Sequence, residues 1–184
     1  LQVIPNLDVS GASQGCIDIA NFLSEKKYSS YILTSAGDKI SEVNNFKDKV
    51  LNASVHSKNP FIIFLNILKI IKLIKKLNIN IVHTRSRAPA WSSYFACVIT
   101  GTKFITTFHG TYNFNNPIKK YYNSIMLKTN GTIAISEFIY RHIRDHYPKI
   151  NSNIKTIVRG INFDFFNPLE CNPNQQEVIL KKFN

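Results

Sequence analysis

Ile79-Asn80-Ile81-Val82-His83-Thr84-Arg85-Ser86-Arg87-Ala88-Pro89-Ala90-Trp91 runs from an apolar strand straight into polar, ligand-capable residues. Phe104-Ile105-Thr106-Thr107-Phe108-His109-Gly110-Thr111-Tyr112 repeats the pattern. In an open parallel α/β sheet the loops beyond the carboxyl ends of the strands diverge and leave a crevice, and ligands bind there. Arginines and a histidine at two such ends suit an anionic or polyhydroxylated ligand.

The rest of the chain alternates in the same way. Strand patterns lie near residues 1–7, 30–34, 50–55, 79–83, 103–108, 131–135 and 154–158, and helical patterns fill roughly 14–27, 60–77, 88–99, 117–129 and 136–147. Such alternation predicts a doubly wound, mostly parallel, Rossmann-like sheet with right-handed crossovers. Pro60, Pro89 and Pro117 stand where a first helical turn tolerates proline, and Ser136-Glu137 opens a helix that Pro148 ends.

A length of 184 residues suits one core, with residues 1–168 as the domain. The pattern fades after Pro168, and residues 169–184 read as a junction and the truncated start of another domain. Leu1 opens on what looks like mid-strand and Leu180-Lys181-Lys182-Phe183-Asn184 reads as an unfinished helix, so an excerpt of a longer protein is expected.

Cys16, Cys97 and Cys171 lie far apart with no CxxC pair. They offer neither a disulfide framework nor a zinc site, and they fit a reducing compartment. No secretory leader is legible in these residues.

The net charge of +12 is uneven. From Lys49 to Ser136 there is no Asp or Glu against twelve Lys and Arg, whereas the remainder balances eleven of each sign. Nucleic acid, an anionic membrane surface or an acidic substrate would each fit such a field. The 21 asparagines point to a compositional bias that explains many lysines but not the missing carboxylates.

The apolar run at Phe61-Ile62-Ile63-Phe64-Leu65 is interrupted by Asn66 and followed by Lys69, Lys72, Lys75 and Lys76, which is too polar for a span of about 20 apolar residues. Helical spacing puts Lys69, Lys72 and Lys76 on one face, with Leu68, Ile71 and Ile74 turned away onto a sheet. Pro117-Ile118-Lys119-Lys120-Tyr121-Tyr122 and Met126-Leu127-Lys128 mix lysines with amphipathic aromatics, the composition of an interfacial helix.

The first strand-to-helix loop, Asn6-Leu7-Asp8-Val9-Ser10-Gly11-Ala12-Ser13-Gln14-Gly15, sets small residues before a helix N-terminus. Gly11, Ser13 and Gly15 there let backbone N–H groups approach an anion, aided by the helix dipole. The loop is not GxGxxG and no acidic residue ends the second strand, which disfavours a nicotinamide dinucleotide. His109 has no second ligand at metal spacing, and no GxSxG elbow or Cys/His pair supports a hydrolase nucleophile.

These motifs, taken in order, resemble the N-terminal domain of a family 4 glycosyltransferase with the GT-B fold, of the bacterial lipopolysaccharide-type branch. The resemblance runs from Gln2 to about Pro168 and rests on Leu7–Gly15, on Arg85-Ser86-Arg87-Ala88-Pro89-Ala90-Trp91, on Thr107-Phe108-His109-Gly110, and on Ile157-Val158-Arg159-Gly160-Ile161-Asn162-Phe163-Asp164-Phe165-Phe166-Asn167-Pro168. The last of these is similar to the family's interdomain junction. Ser10-Gly11 stands where the family usually has two adjacent glycines.

The resemblance implies transfer from a nucleotide-sugar to a glycolipid or saccharide acceptor with retention of configuration and without a metal or other cofactor. It implies an acceptor held by this half and His109 facing the donor sugar as the catalytic residue, while Gly11, Ser13, Gly15, Arg85, Arg87, Gly110 and Tyr112 are the candidate binding residues from their places in the first loop and at the strand ends. It further implies a cytoplasmic protein, peripheral on the inner face of the bacterial inner membrane, acting in envelope polysaccharide synthesis.

Two other classes stay open: a basic nucleic-acid module, and a non-catalytic α/β ligand-binding domain. Against the first, the sequence carries no RNP, KH or helix-turn-helix signature.

Overall fold

Among the described residues of a computed structural model, the apolar runs form seven short strands. These are β1 (Gln2–Val3), β2 (Ile32–Thr34), β3 (Val50–Asn52), β4 (Ile81–Thr84), β5 (Lys103–Phe108), β6 (Gly131–Ala134) and β7 (Ile154–Thr156). Among the described residues they are joined by α1 (Gly11–Glu25), α2 (Pro60–Lys76), α3 (Arg87–Thr100), α4 (Pro117–Ser124) and α5 (Glu137–His146). The structure describes residues 1–43, 49–113, 116–150 and 153–161, with 163, 166, 167, 177 and 180–182 beyond them.

The strands pair in the order β3-β2-β1-β4-β5-β6-β7, and every pairing is parallel. The Rossmann-like α/β fold expected from the alternation is the fold observed. From β1 the chain steps outward to β2 and β3, then returns past β1 to β4 and proceeds the other way. The strand order therefore reverses between β1 and β4, and a crevice opens there beyond the carboxyl ends.

Adjacent residues of one strand face opposite layers, as the period of two requires. Ile32 packs with Cys16, Ile17 and Ala20 of α1, whereas Leu33 joins the larger core built with α2, α3 and α5. Cys16 and Cys97 are buried free thiols, as small apolar residues would be; Cys171 lies outside the described residues.

Side-chain caps explain several helix starts. Ser10 accepts from the Ser13 N–H, Asn59 from Phe61, Asn116 from Ile118 and Ser136 from Ile139. Pro60 and Pro117 each occupy the first turn that follows.

Gly37 fixes the loop that leads into α1. Its φ is +147°, and a Cβ there would lie 2.4–2.5 Å from Leu7 backbone atoms. That close approach lets Leu7 N–H donate to Ala36 O and Lys39 N–H to Leu7 O, so the first loop is clamped from behind.

Two expectations from the sequence are corrected. The helix placed at 117–129 ends at Ser124 and tightens into a 3₁₀ turn, Ile125–Leu127, that is buried under the sheet. Thr106 Oγ1 on β5 donates to Met126 O and draws this turn inward, so Met126 and Leu127 belong to the core rather than to an interfacial surface.

On α2 the lysines are exposed as read, but Leu68 is not turned away. It is 49% exposed and continues an uncovered line with Phe61, Phe64 and Leu65. Only Asn66, Ile70 and Ile74 of this helix are fully buried.

Candidate functional site

The site lies over the reversal point, and four segments build it. The first turns of α1 supply Gly11 and Gly15, Arg85 directly follows β4, His109 directly follows β5, and the segment after β7 supplies Arg159.

Arg85 is only 6% exposed. Its Nε and Nη2 donate to Gln2 Oε1 at 3.2 and 2.8 Å, and Gln2 Nε2 donates to Cys16 O at 2.9 Å. The fork is thus set by β1 and α1, and its Nη1 lies under Gly15, 3.7 Å from where a Cβ would be. Burial lowers the Arg85 pKa from its ordinary value, with Arg159 adding repulsion.

His109 receives a hydrogen bond at Nδ1 from Arg159 Nη2. Its Nε2 is buried and has no partner among the described residues. Burial, with Arg85 and Arg159 close by, pushes this imidazole down to about 3, so at neutral pH it is uncharged. Arg159 also crosses the start of α1, where its Nη1 fills the space a side chain at position 11 would need.

Among the described residues no carboxylate stands within ion-pair distance of Arg85 or Arg159. Two guanidiniums and the positive end of a 15-residue helix converge with no ion-paired carboxylate among the described residues, Asp18 acting on Arg85 only from beyond ion-pair distance. Such a cluster attracts an anion, and the neutral imidazole beside it offers a polar contact for a hydroxyl.

Not every residue expected at the site joins it. Ser13 is buried, and its hydroxyl bonds Ser10 Oγ at 2.9 Å and Asn6 O at 3.3 Å, which serves the helix cap. Arg87 and Tyr112 form a second group. The Arg87 guanidinium lies 4.3 Å from the Tyr112 ring centre and donates to Asn123 Oδ1 at 3.0 Å. Tyr112 N–H donates to His142 Nε2 at 3.4 Å, and its ring stands 4.9 Å from Phe108. This group braces the loop that follows His109. Burial raises the Tyr112 hydroxyl to about 12, so it stays protonated.

Gly110 leaves open space around its Cα. His83 lies behind the site, with Nε2 2.8 Å from Thr107 Oγ1, held neutral by burial and by Arg85. Arg159 was not singled out from sequence; its one signal was the Arg159-Gly160 pair within the junction-like ending. Of that ending, residues 162, 164, 165 and 168 lie outside the described residues.

A separate cavity of about 470 Å³, lined by Tyr94, Cys97, Val98, Lys103, Phe104 and Lys128, opens at the amino ends of β5 and β6. It is at the opposite edge of the sheet from the converging cations.

The model of the family described as Glycosyltransferase Family 4 matches residues 9–165. The chain belongs to that family. A glycosyltransferase from Rickettsia africae ESF-5, known from a crystal structure, is 40% identical with a TM-score of 0.78, over 99% of this chain and 49% of its own.

Family 4 membership is accompanied by more distant likenesses that show the fold alone. Anabaena Alr3699/HepE in complex with UDP and glucose is 11% identical at a TM-score of 0.65, covering 99% of this chain and 50% of its own. MurG from Acinetobacter baumannii is 12% identical at 0.61, covering 88% and 45%. No curated protein matches the sequence. This chain spans about half the length of these solved structures, and its sheet corresponds to one Rossmann-like half of the GT-B fold.

Proposed function

We propose that this chain is the acceptor-side half of a retaining, metal-independent glycosyltransferase. It would move a hexosyl-type sugar from a nucleotide-sugar to a glycolipid or saccharide acceptor in lipopolysaccharide or related envelope polysaccharide synthesis. The observation that carries this reading is the convergence of Arg85, Arg159 and the α1 N-terminus around a neutral His109, over the point where strand order reverses.

In this scheme the guanidiniums and the α1 amide groups hold an anionic part of a substrate, a phosphate or an acidic sugar. His109 contacts a hydroxyl of the transferred sugar as a neutral imidazole. A contact that strengthens as charge develops lowers the barrier rather than only tightening binding. Gly11, Gly15 and Gly110 keep the backbone accessible, and the Arg87–Tyr112 group holds the loop after His109 in place. The nucleotide would sit mainly on the other half of the enzyme, so this half alone would not turn over. The setting is the cytoplasmic face of the inner membrane.

The experiment is glycosyl transfer by the full-length enzyme, with NMR of the product anomer. His109→Ala should reduce kcat by roughly 5- to 150-fold, the loss of about 1–3 kcal/mol of transition-state contact, with folding intact. Unchanged turnover per folded molecule, or inversion at the anomeric carbon, would remove this reading.

A further inference from the structure

The cavity of about 470 Å³ at the amino ends of β5 and β6 has no part in the site already described. Small-molecule pockets span roughly 300–1,000 Å³, and this volume falls among them. Two connections build its rim. One leaves α3 through Gly101 and enters β5 as Thr102-Lys103; the other leaves the 3₁₀ turn and enters β6 as Lys128-Thr129-Asn130. Parallel pairing of β5 with β6 brings the two side by side. Asn130 N–H donates to Phe104 O, and Asn130 Oδ1 accepts from Phe104 N–H, each at 2.8 Å. The rim is therefore clasped at both groups of one residue.

The groups left for a ligand follow from the hydrogen bonds already made. With its oxygen taken by Phe104, Asn130 keeps an exposed NH2, which only donates. Thr100 Oγ1 donates to Ala96 O at 2.8 Å, so Thr102 supplies the proton between their hydroxyls, 2.8 Å apart. Thr132 Oγ1 donates to Met126 O, so Thr129 supplies the proton to Thr132 at 3.0 Å. Both rim threonines thus offer lone pairs only.

Lys103 and Lys128 line the cavity, both exposed and neither ion-paired among the described residues. Lys128 Nζ stands 6.0 Å from the Tyr94 ring centre and 5.7 Å from that of Tyr121, which holds the ammonium against the cavity wall. Among the described residues no carboxylate lines the cavity. The carboxyl end of α3 draws cations to this region. It does not account for the apolar floor, where Cys97, Phe104 and Leu127 are each 3% exposed, or for the spare Asn130 amide.

We propose that this cavity binds a phosphate monoester of a compact apolar or aromatic body. The dianion sits between the Lys103 and Lys128 ammoniums and takes the Asn130 NH2, because lysines bind phosphate as point charges. The body lies along Tyr94, Phe104 and Leu127, and a hydroxyl on it can donate to Thr102 or Thr129. The proposal does not depend on sugar transfer, since the cavity and the Arg85–His109–Arg159 group lie at opposite edges of the sheet.

Amide NMR of the full-length protein, titrated with phenyl phosphate, inorganic phosphate and phenol, tests it. Phenyl phosphate should shift the amides of Thr102, Lys103, Thr129 and Asn130, and should bind about tenfold more tightly than inorganic phosphate or phenol. Lys103→Gln/Lys128→Gln should weaken phenyl phosphate about tenfold or more. Both lysines are exposed, so the thermal midpoint should stay near wild type. Lys119→Gln/Lys120→Gln on α4 removes the same charge elsewhere and should leave binding unchanged.

Rim amides that do not move at about 10 mM phenyl phosphate would overturn the proposal, leaving the two lysines to serve the end of α3. So would shifts confined to Arg85, His109 and Arg159, or equal affinity for inorganic and phenyl phosphate. An equal loss in the α4 variant would also overturn it, since a diffuse field rather than a built cavity would then hold the anion.

Discussion

Arg159, in the segment leaving β7, donates a hydrogen bond to Nδ1 of His109 at the end of β5, fifty residues away. A guanidinium can only donate. The Nδ1 of His109 must therefore be the bare nitrogen, and the hydrogen sits on Nε2. A residue from the end of the domain thus sets the tautomer of the residue at its centre.

This relationship predicts a spectroscopic result. Nitrogen-15 shifts of His109 should report an Nε2–H tautomer that remains neutral down to about pH 4, in line with burial and the two guanidiniums that push it to about 3. Arg159→Met should mix the tautomers and move the titration upward, whereas Arg159→Lys should preserve more of the native signature. Titration near the ordinary histidine value in the native chain would contradict the contact.

Stability should fall in acid over a defined window. His83 and His109 are both held below their ordinary value when folded, chiefly by burial. Unfolded imidazoles take up a proton near pH 6.5, while the folded ones resist until about pH 3 in the case of His109. The unfolded state thus binds more protons through that window, so stability falls as pH drops below about 6.5. Urea midpoints between pH 7 and pH 4 measure it, and His83→Gln should flatten the slope. A midpoint that rises toward acid would show that other groups dominate.

Gly37→Ala should destabilise the domain by about 1–3 kcal/mol or more, since it forces a positive φ and drives a Cβ into the Leu7 backbone. Ser10→Ala, which removes only a cap, should cost about 1 kcal/mol. Thermal midpoints give the comparison. Equal, small effects would mean that the Leu7–Gly37 contact relaxes easily.

Arg85 and Arg87 should separate. From sequence alone both would be expected to raise the acceptor KM with little change in fold. Arg85→Met, however, strands Gln2 Oε1 in the interior and should also cost about 1–3 kcal/mol of stability. Arg87→Met loses its stack on Tyr112 and the Asn123 bond. It should loosen the loop after His109 and lower kcat more than it raises KM. Kinetics and denaturation of both variants in the full-length enzyme decide this; identical profiles would place the two arginines in one role.

The fold was legible because each apolar run is short and bounded by a helix-starting signal. Asn59-Pro60, Asn116-Pro117 and Ser136 mark the boundaries locally, without help from distant contacts. His109 and Arg85 were legible as site residues for the same reason: strand ends can be counted, and in a parallel sheet all of them point to one edge.

What the sequence by itself determined is the alternation, and with it the parallel sheet and the identity of residues at its carboxyl edge. Tertiary structure alone decided which of those residues meet. Arg85 turns inward because Gln2, 83 residues away, holds its fork, whereas Arg87, two positions on, begins α3 and faces Tyr112 and Asn123 instead. Arg159 reaches His109 only because parallel pairing of β6 with β7 carries the chain back to the same edge. Leu68 faces outward for a related reason. Helical periodicity fixes which residues share a side of α2, but which side is covered depends on how α3 and the sheet pack against it.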